Sequence, residues 1–221
     1  MDVIIGTGSY NTAHSVELTR WAKSTGASGA LVVTPYYNRP TQEGLLAHFR
    51  EIAKVGLPIC VYNVPSRTAV SLLPETVGKL AQLPNIVAIK EATGNMTYLS
   101  QILSLVPKKF ILLSGDDFTY LPFLTLGGHG VISVVSNILP KEMVELYDCY
   151  QTDLRRAQNL FLKIYPLIEA LFLESNPIPI KAALAELGWI RDELRLPLLP
   201  LSEKPRKRLK AVMSELSLKK Q

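Results

Sequence analysis

Six short apolar runs recur along the first part of the chain, and their spacing constrains the fold more than any other feature. They are VIIGT from Val3, GALVVTP from Gly29, PICVYNV from Pro58, IVAIKEA from Ile86, FILLSGD from Phe110 and GVISVVS from Gly130. Each run is continuous rather than alternating, which is the pattern of parallel strands covered on both faces. Helical periodicity fills the gaps. Leu45, Phe49, Ile52 and Ala53 recur at helical spacing, as do Leu99, Ile102, Leu103 and Val106. Thr41 reads as an N-cap, Gly26 and Gly56 as helix-terminating glycines, and Pro74 as the first residue of a helix over Glu75 to Leu83. Strands alternating with helices predict an α/β protein with a parallel sheet.

Two architectures satisfy that alternation, an open doubly wound sheet and a (β/α) barrel. The phosphate-binding fingerprint G-x-G-x-x-G is absent, and Gly6-Thr7-Gly8 offers only its first half. Polar residues gather where the runs end: Tyr36-Tyr37-Asn38, Tyr62-Asn63, Lys90-Glu91, Ser114 with Asp116-Asp117, and Ser136-Asn137. Several strand ends converging on one rim is how a barrel builds a site, and this favours the barrel. After Pro140 the pattern is helical only, with a helix over Ala157 to Leu173, a break at Asn176 to Pro179, a helix over Ile180 to Leu187 ending at Gly188, and a last helix after the Pro-rich Leu196 to Pro200. The expected division is a partial barrel over residues 1–150 and a helical extension over 151–221.

Composition narrows the function classes. The 221 residues are 48% apolar and 19% charged, enough for one large core. No apolar run reaches the ~18 residues that span a bilayer. MDVIIGTG carries no basic segment or cleavage site of a signal peptide, so a cytoplasmic location is expected. Cys60 and Cys149 sit in apolar surroundings and read as reduced core residues. The net charge of +5 is concentrated in Lys204 to Lys220, where no aromatic residues interleave; this reads as a solvated helix face rather than a nucleic-acid surface.

The chemistry centres on Lys90. A lysine ending a buried strand is either one that snorkels to solvent or one whose ammonium is desolvated and turned into a nucleophilic amine. Strand alternation puts Ile86, Ala88 and Lys90 on one face, inward if Val87 and Ile89 meet the helices. Such an amine condenses with a ketone to a Schiff base and needs a proton shuttle. Tyr62, ending the preceding run, is expected at the same rim and is either that relay or a core tyrosine. Arg67, in the turn after Pro65-Ser66, either grips a carboxylate or is solvated. Tyr36 and Tyr37 are rim or subunit-contact aromatics, and Gly115 with Gly127-Gly128 allows close backbone approach. His14, His48 and His129 are too scattered for a metal site, and surface positions are expected for all three.

Five motifs in fixed order carry a resemblance: TPYYNRP from Thr34, YNVPSRT from Tyr62, IKEATGN from Ile89, LSGDD from Leu113 and LGGHGVISV from Leu126. Together the chain resembles the 4-hydroxy-tetrahydrodipicolinate synthase (dihydrodipicolinate synthase) family of pyruvate-dependent class I aldolases. The resemblance implies a TIM (β/α)8 barrel that is short by its first two βα units, including a Thr-Thr-Gly-Glu motif, so that the six runs are strands three to eight. It implies Lys90 as the Schiff-base nucleophile, Tyr62 as proton relay, Tyr37 as a relay lent by a neighbouring subunit, Arg67 on the semialdehyde carboxylate, and the backbone at Gly115 and Ile132 along pyruvate. The implied reaction joins pyruvate to L-aspartate-4-semialdehyde in lysine and diaminopimelate biosynthesis. It uses no cofactor or metal, in a tight dimer or homotetramer with no nucleic-acid or membrane partner. Related sialic-acid lyases share the lysine and tyrosine, and a weakly active or non-catalytic barrel fragment is a further alternative. The family's lysine-feedback asparagine and glutamate fall at Tyr10 and His14, beside Tyr36, which implies little inhibition by L-lysine.

Overall fold

The computed structural model describes residues 1–218. It forms two compact units, the first spanning Met1–Ile132 and the second starting at Ser133. In the first unit β1 (Ile4–Gly6), α1 (Thr12–Ser24), β2 (Gly29–Val33), α2 (Gln42–Ala53), β3 (Ile59–Asn63), the one-turn α3 (Pro65–Thr68) and α4 (Pro74–Leu80) follow one another. They are followed by β4 (Ile86–Glu91), α5 (Met96–Leu105), β5 (Ile111–Ser114), α6 (Tyr120–Thr125) and β6 (Gly130–Val131). Every strand pairs in parallel with its sequence neighbour, in the order β1-β2-β3-β4-β5-β6. A doubly wound sheet would reverse direction at a switch point; sequential order, with crossovers of the usual single hand, keeps the helices on one face. This unit is a partial (β/α) barrel.

Local chemistry explains the boundaries. The Thr41 side chain accepts from the Gly44 amide at 3.2 Å and starts α2, while Asn11 and Asn95 cap α1 and α5 in the same way. Gly26 and Gly56 take the positive φ that lets the chain leave α1 and α2. Pro74 occupies the first turn of α4, which ends at Leu80, earlier than the spacing predicts. The last apolar run also falls short of a full strand. After Val131 the chain turns into a 3-10 segment, Val135–Asn137, because Ser133 and Ser136 bond each other locally, with the Ser136 amide 2.9 Å from Ser133 Oγ.

Ala30, Val32, Ile59, Val61, Ile89 and Leu112 pack with Leu45, Phe49, Ile52, Leu99 and Ile102 in the layer between sheet and helices. Cys60, Tyr62, Ala88 and Lys90 therefore face the other way. One expected alternation fails. Ile59 pairs with Ile86 but Cys60 with Ala88, so Val87 is the extra residue of a bulge. Ile86 thus joins the helix-side core, while Ala88 and Lys90 keep the inner face.

The second unit holds α7 (Pro140–Cys149), α8 (Leu154–Leu171), α9 (Ile178–Glu186) and α10 (Glu203–Glu215). Asp153 caps α8, so this helix begins and ends before the positions expected from its apolar spacing. Arg206 of α10 bonds Glu186 at 3.0 Å and also pairs with Asp192, tying α10 to α9 and the loop after it. The basic face of α10 is solvated around Lys204, Lys207 and Arg208, and residues 219–221 of the charged tail lie outside the described residues. No helix of the described residues is long and apolar enough to cross a membrane. Cys60 and Cys149 are buried and free.

Candidate active site at the carboxyl ends of the strands

Lys90 and Tyr62 are register partners on adjacent parallel strands. The Lys90 Nζ lies 4.2 Å from the centroid of the Tyr62 ring, over its face. A ring face stabilises a cation without hydrating it. Burial is the largest influence on Lys90 and lowers its pKa; the Arg67 guanidinium lowers it further, while Cys60 and Asp117 pull it back up. Burial likewise raises the Tyr62 hydroxyl, with Arg67 opposing and Glu91 reinforcing the rise. The pair is an amine displaced toward its neutral, nucleophilic form beside a phenol that keeps its proton.

Arg67 is the third residue of α3, which Pro65 starts and which ends at Ala69 in a left-handed conformation. Its charge acts on both Tyr62 and Lys90. Arg67, Tyr62 and Tyr36 line one cleft of about 390 Å³ with Gly8, Val33 and Val64. A guanidinium over a cleft of that kind suits a carboxylate. Gly115 sits directly against the lysine. A Cβ there would lie 2.8 Å from Lys90 Cε and 2.7 Å from Ala92 Cβ, so only glycine leaves room. Ile132 follows β6, and its amide donates to Ser114 at 2.9 Å, at the same rim.

Tyr37 is not brought to this cleft. It is 91% exposed and held at φ 73, in the left-handed region, on a loop with Arg39 at φ 48. Tyr10 and Tyr36 meet edge to face at 5.7 Å and line a separate cleft of about 540 Å³ with Asn11, His14 and Glu17. His14 lies 3.6 Å from Glu17, its own helical neighbour. His48 corrects one expectation. It is 4% exposed rather than on the surface, because its position on α2 turns it toward Thr12 of α1.

Four residues near the lysine escaped the sequence reading as contributors. Cys60 lies one inward position below Tyr62, and burial pushes its thiol up to about 12. Asp117 is buried and acts on Lys90 through its charge. Asn63 and Glu91 are buried on the opposite face of the same strands. The signal available for these two was their shared offset, each one residue past a site residue on neighbouring strands.

Residues 1–216 match the family model described as the dihydrodipicolinate synthetase family. The chain is 50% identical over 218 residues to the 4-hydroxy-tetrahydrodipicolinate synthase of Thermodesulfovibrio yellowstonii, covering 98% of this chain and 75% of that protein. The crystal structure of the dihydrodipicolinate synthase of Thermotoga maritima superposes with a TM-score of 0.96 at 46% identity, covering 99% of this chain and 76% of the other. That of the chloride-inhibited Acinetobacter baumannii enzyme complexed with pyruvate gives 0.95 at 44% identity, covering 99% and 76%.

Proposed function

The chain belongs to the dihydrodipicolinate synthetase family, and we propose that it condenses pyruvate with L-aspartate-4-semialdehyde through a Schiff base on Lys90. The observation that carries this reading is the lysine Nζ held 4.2 Å over the Tyr62 ring in a partly buried site. The neutral amine of Lys90 attacks C2 of pyruvate and forms a carbinolamine. Tyr62 delivers the proton with which the hydroxyl leaves as water, giving the imine. Loss of a C3 proton gives the enamine, whose C3 attacks the semialdehyde aldehyde carbon and forms the new carbon–carbon bond. The substrate's own amino group then attacks the imine carbon, and Lys90 leaves as the free amine while the ring closes. In this reading Arg67 holds a substrate carboxylate, supported by its place in the lining of the cleft, and the backbone at Gly115 and Ile132 lines pyruvate. Tyr37, exposed and outside the lining of its own cleft, supports a homo-oligomer in which a neighbour receives it.

Borohydride reduction in the presence of pyruvate, followed by peptide mass analysis, tests the first step. The expected result is a reduced pyruvate adduct on Lys90, absent in Lys90→Ala. No adduct, or one on a different lysine, overturns the reading. Adding L-aspartate-4-semialdehyde is expected to consume pyruvate in the wild type alone; failure of that second step with the adduct present removes the semialdehyde as substrate.

A further inference from the structure

Lys90 is useful only where it faces Tyr62. The bulge at Val87 resets the phase of β4 against β3, and beyond it the burial of Val61 and Ile89 on the helix side selects the face that Lys90 takes. The last pair of the ladder, one step past Lys90 and Tyr62, is polar and holds the two strand ends together.

We propose that Asn63 and Glu91 form a buried clamp that positions Lys90 on Tyr62; the proposal rests on the Schiff-base reading. The two residues are register partners, one step past Tyr62 and Lys90, with their side chains on the helix face. Asn63 is 0% and Glu91 3% exposed. Asn63 Nδ2 donates to Glu91 Oε2 at 2.8 Å, and its Oδ1 accepts from the Leu72 amide at 3.1 Å. The other oxygen of Glu91 accepts from the Thr93 amide. The Tyr98 hydroxyl of α5 donates to the Leu72 carbonyl at 2.6 Å and lies 3.5 Å from Asn63 Nδ2. The main chain closes the same knot, with the Ala92 amide on the Asn63 carbonyl at 3.0 Å and the Gly115 amide on the Glu91 carbonyl at 2.7 Å. The side-chain pair therefore joins the loops after β3 and β4, at Leu72 and Thr93, and the glycine against Lys90 is bonded to the main chain of the same glutamate. A carboxylate buried without such donors is costly, so the pair holds only in the register that supplies them. Asn63 and Glu91 are positioning residues; they touch no substrate and act through the two side chains that precede them.

The polarity of the clamp gives a test. In Glu91→Gln one acceptor oxygen remains for two donors: with it on the Thr93 amide the new NH2 meets the Asn63 NH2, turned round it meets the Thr93 N–H, and Asn63 can turn only by losing Leu72. In Asn63→Asp/Glu91→Gln the donor and acceptor are exchanged, and one oxygen remains for the Leu72 amide. Glu91→Gln is expected to slow imine formation at Lys90 by about tenfold or more, as misplacement of a reacting group does. The exchanged double variant is expected to return to within about threefold of wild type, the coupling of a direct pair. Tyr98→Phe, which keeps the ring and loses the bond to Leu72, is expected to slow the step by a smaller factor and serves if Glu91→Gln fails to fold.

Competitive acetylation of Lys90 against pH, without pyruvate, reads the surroundings of its amine. The midpoint is expected to rise toward that of an ordinary lysine in Glu91→Gln and to return in the double variant. A purely structural role would lower melting temperature and leave that midpoint in place. A single variant that traps and titrates like wild type, or a double variant as impaired as the single, overturns the clamp. A wild-type chain that traps no pyruvate overturns the Schiff-base reading alone, and the acetylation midpoints still decide the clamp.

Discussion

Tyr62 offers Lys90 both a ring face and a hydroxyl, and one substitution separates them. Tyr62→Phe keeps the surface beneath the ammonium and removes the proton donor. The rate of imine formation is expected to fall by roughly 10²-fold or more, as loss of a general acid does, while the acetylation midpoint of Lys90 stays close to wild type. A rate within about twofold of wild type would remove Tyr62 as the relay. Gly115→Ala is expected to do the reverse and displace the lysine, since the added methyl would press on its stem at 2.8 Å. Trapping with pyruvate then fails even though every polar residue is intact. At this scale much of the site was legible. A lysine and a tyrosine ending neighbouring apolar runs had to share a rim once the strands were parallel. Asn63 and Glu91 were harder to read, because polar residues at a strand end look solvated until the helix packed over them is known. Tyr37 could be read as a rim aromatic, and it is exposed.

The strands, the capped helices and the change to helix after Pro140 follow from spacing and cap chemistry that the sequence displays. What spacing did not show was the bulge at Val87 and the early end of β6, because both arise from competition between the ladder and local geometry. His48 is a similar case, since helix periodicity alone does not say how α1 lies on α2. Its Nδ1 is 2.9 Å from Thr12 Oγ1, its ring meets Phe49 edge to face, and Nε2 has no partner among the described residues. Burial lowers its pKa from 6.5 to about 4. Between those values the unfolded chain binds a proton that the folded one refuses, so stability is complete above pH 6.5 and is lost as pH falls toward 4. The loss is expected to approach about 3 kcal/mol. His48→Leu should flatten the melting temperature over that interval; an unchanged pH profile would locate the acid sensitivity elsewhere.

The chain spans about three quarters of the length of the curated relatives it matches. If one protomer lends Tyr37 to its neighbour, two inactive variants can repair each other. Mixing Tyr37→Phe with Lys90→Ala protomers, after dissociation and reassembly, should yield hybrids in which an intact lysine meets an intact borrowed tyrosine. Roughly a quarter of wild-type activity is expected from random pairing in a two-fold dimer. A mixture no more active than Tyr37→Phe alone would confine each site to one chain. L-Lysine is expected to inhibit weakly, because the cleft of Tyr10 and Tyr36 presents His14 at the position where a carboxylate would hold the effector's ammonium. The sequential order of the sheet carries a kinetic meaning as well. Each strand needs only its predecessor as a template, and Asn63 and Glu91 stand 28 positions apart. Loops of that size close at modest entropic cost, so pairing can advance strand by strand as the polypeptide emerges during synthesis. Lys90 can meet Tyr62 on the nascent chain while the helices beyond Ser133 are still to be made.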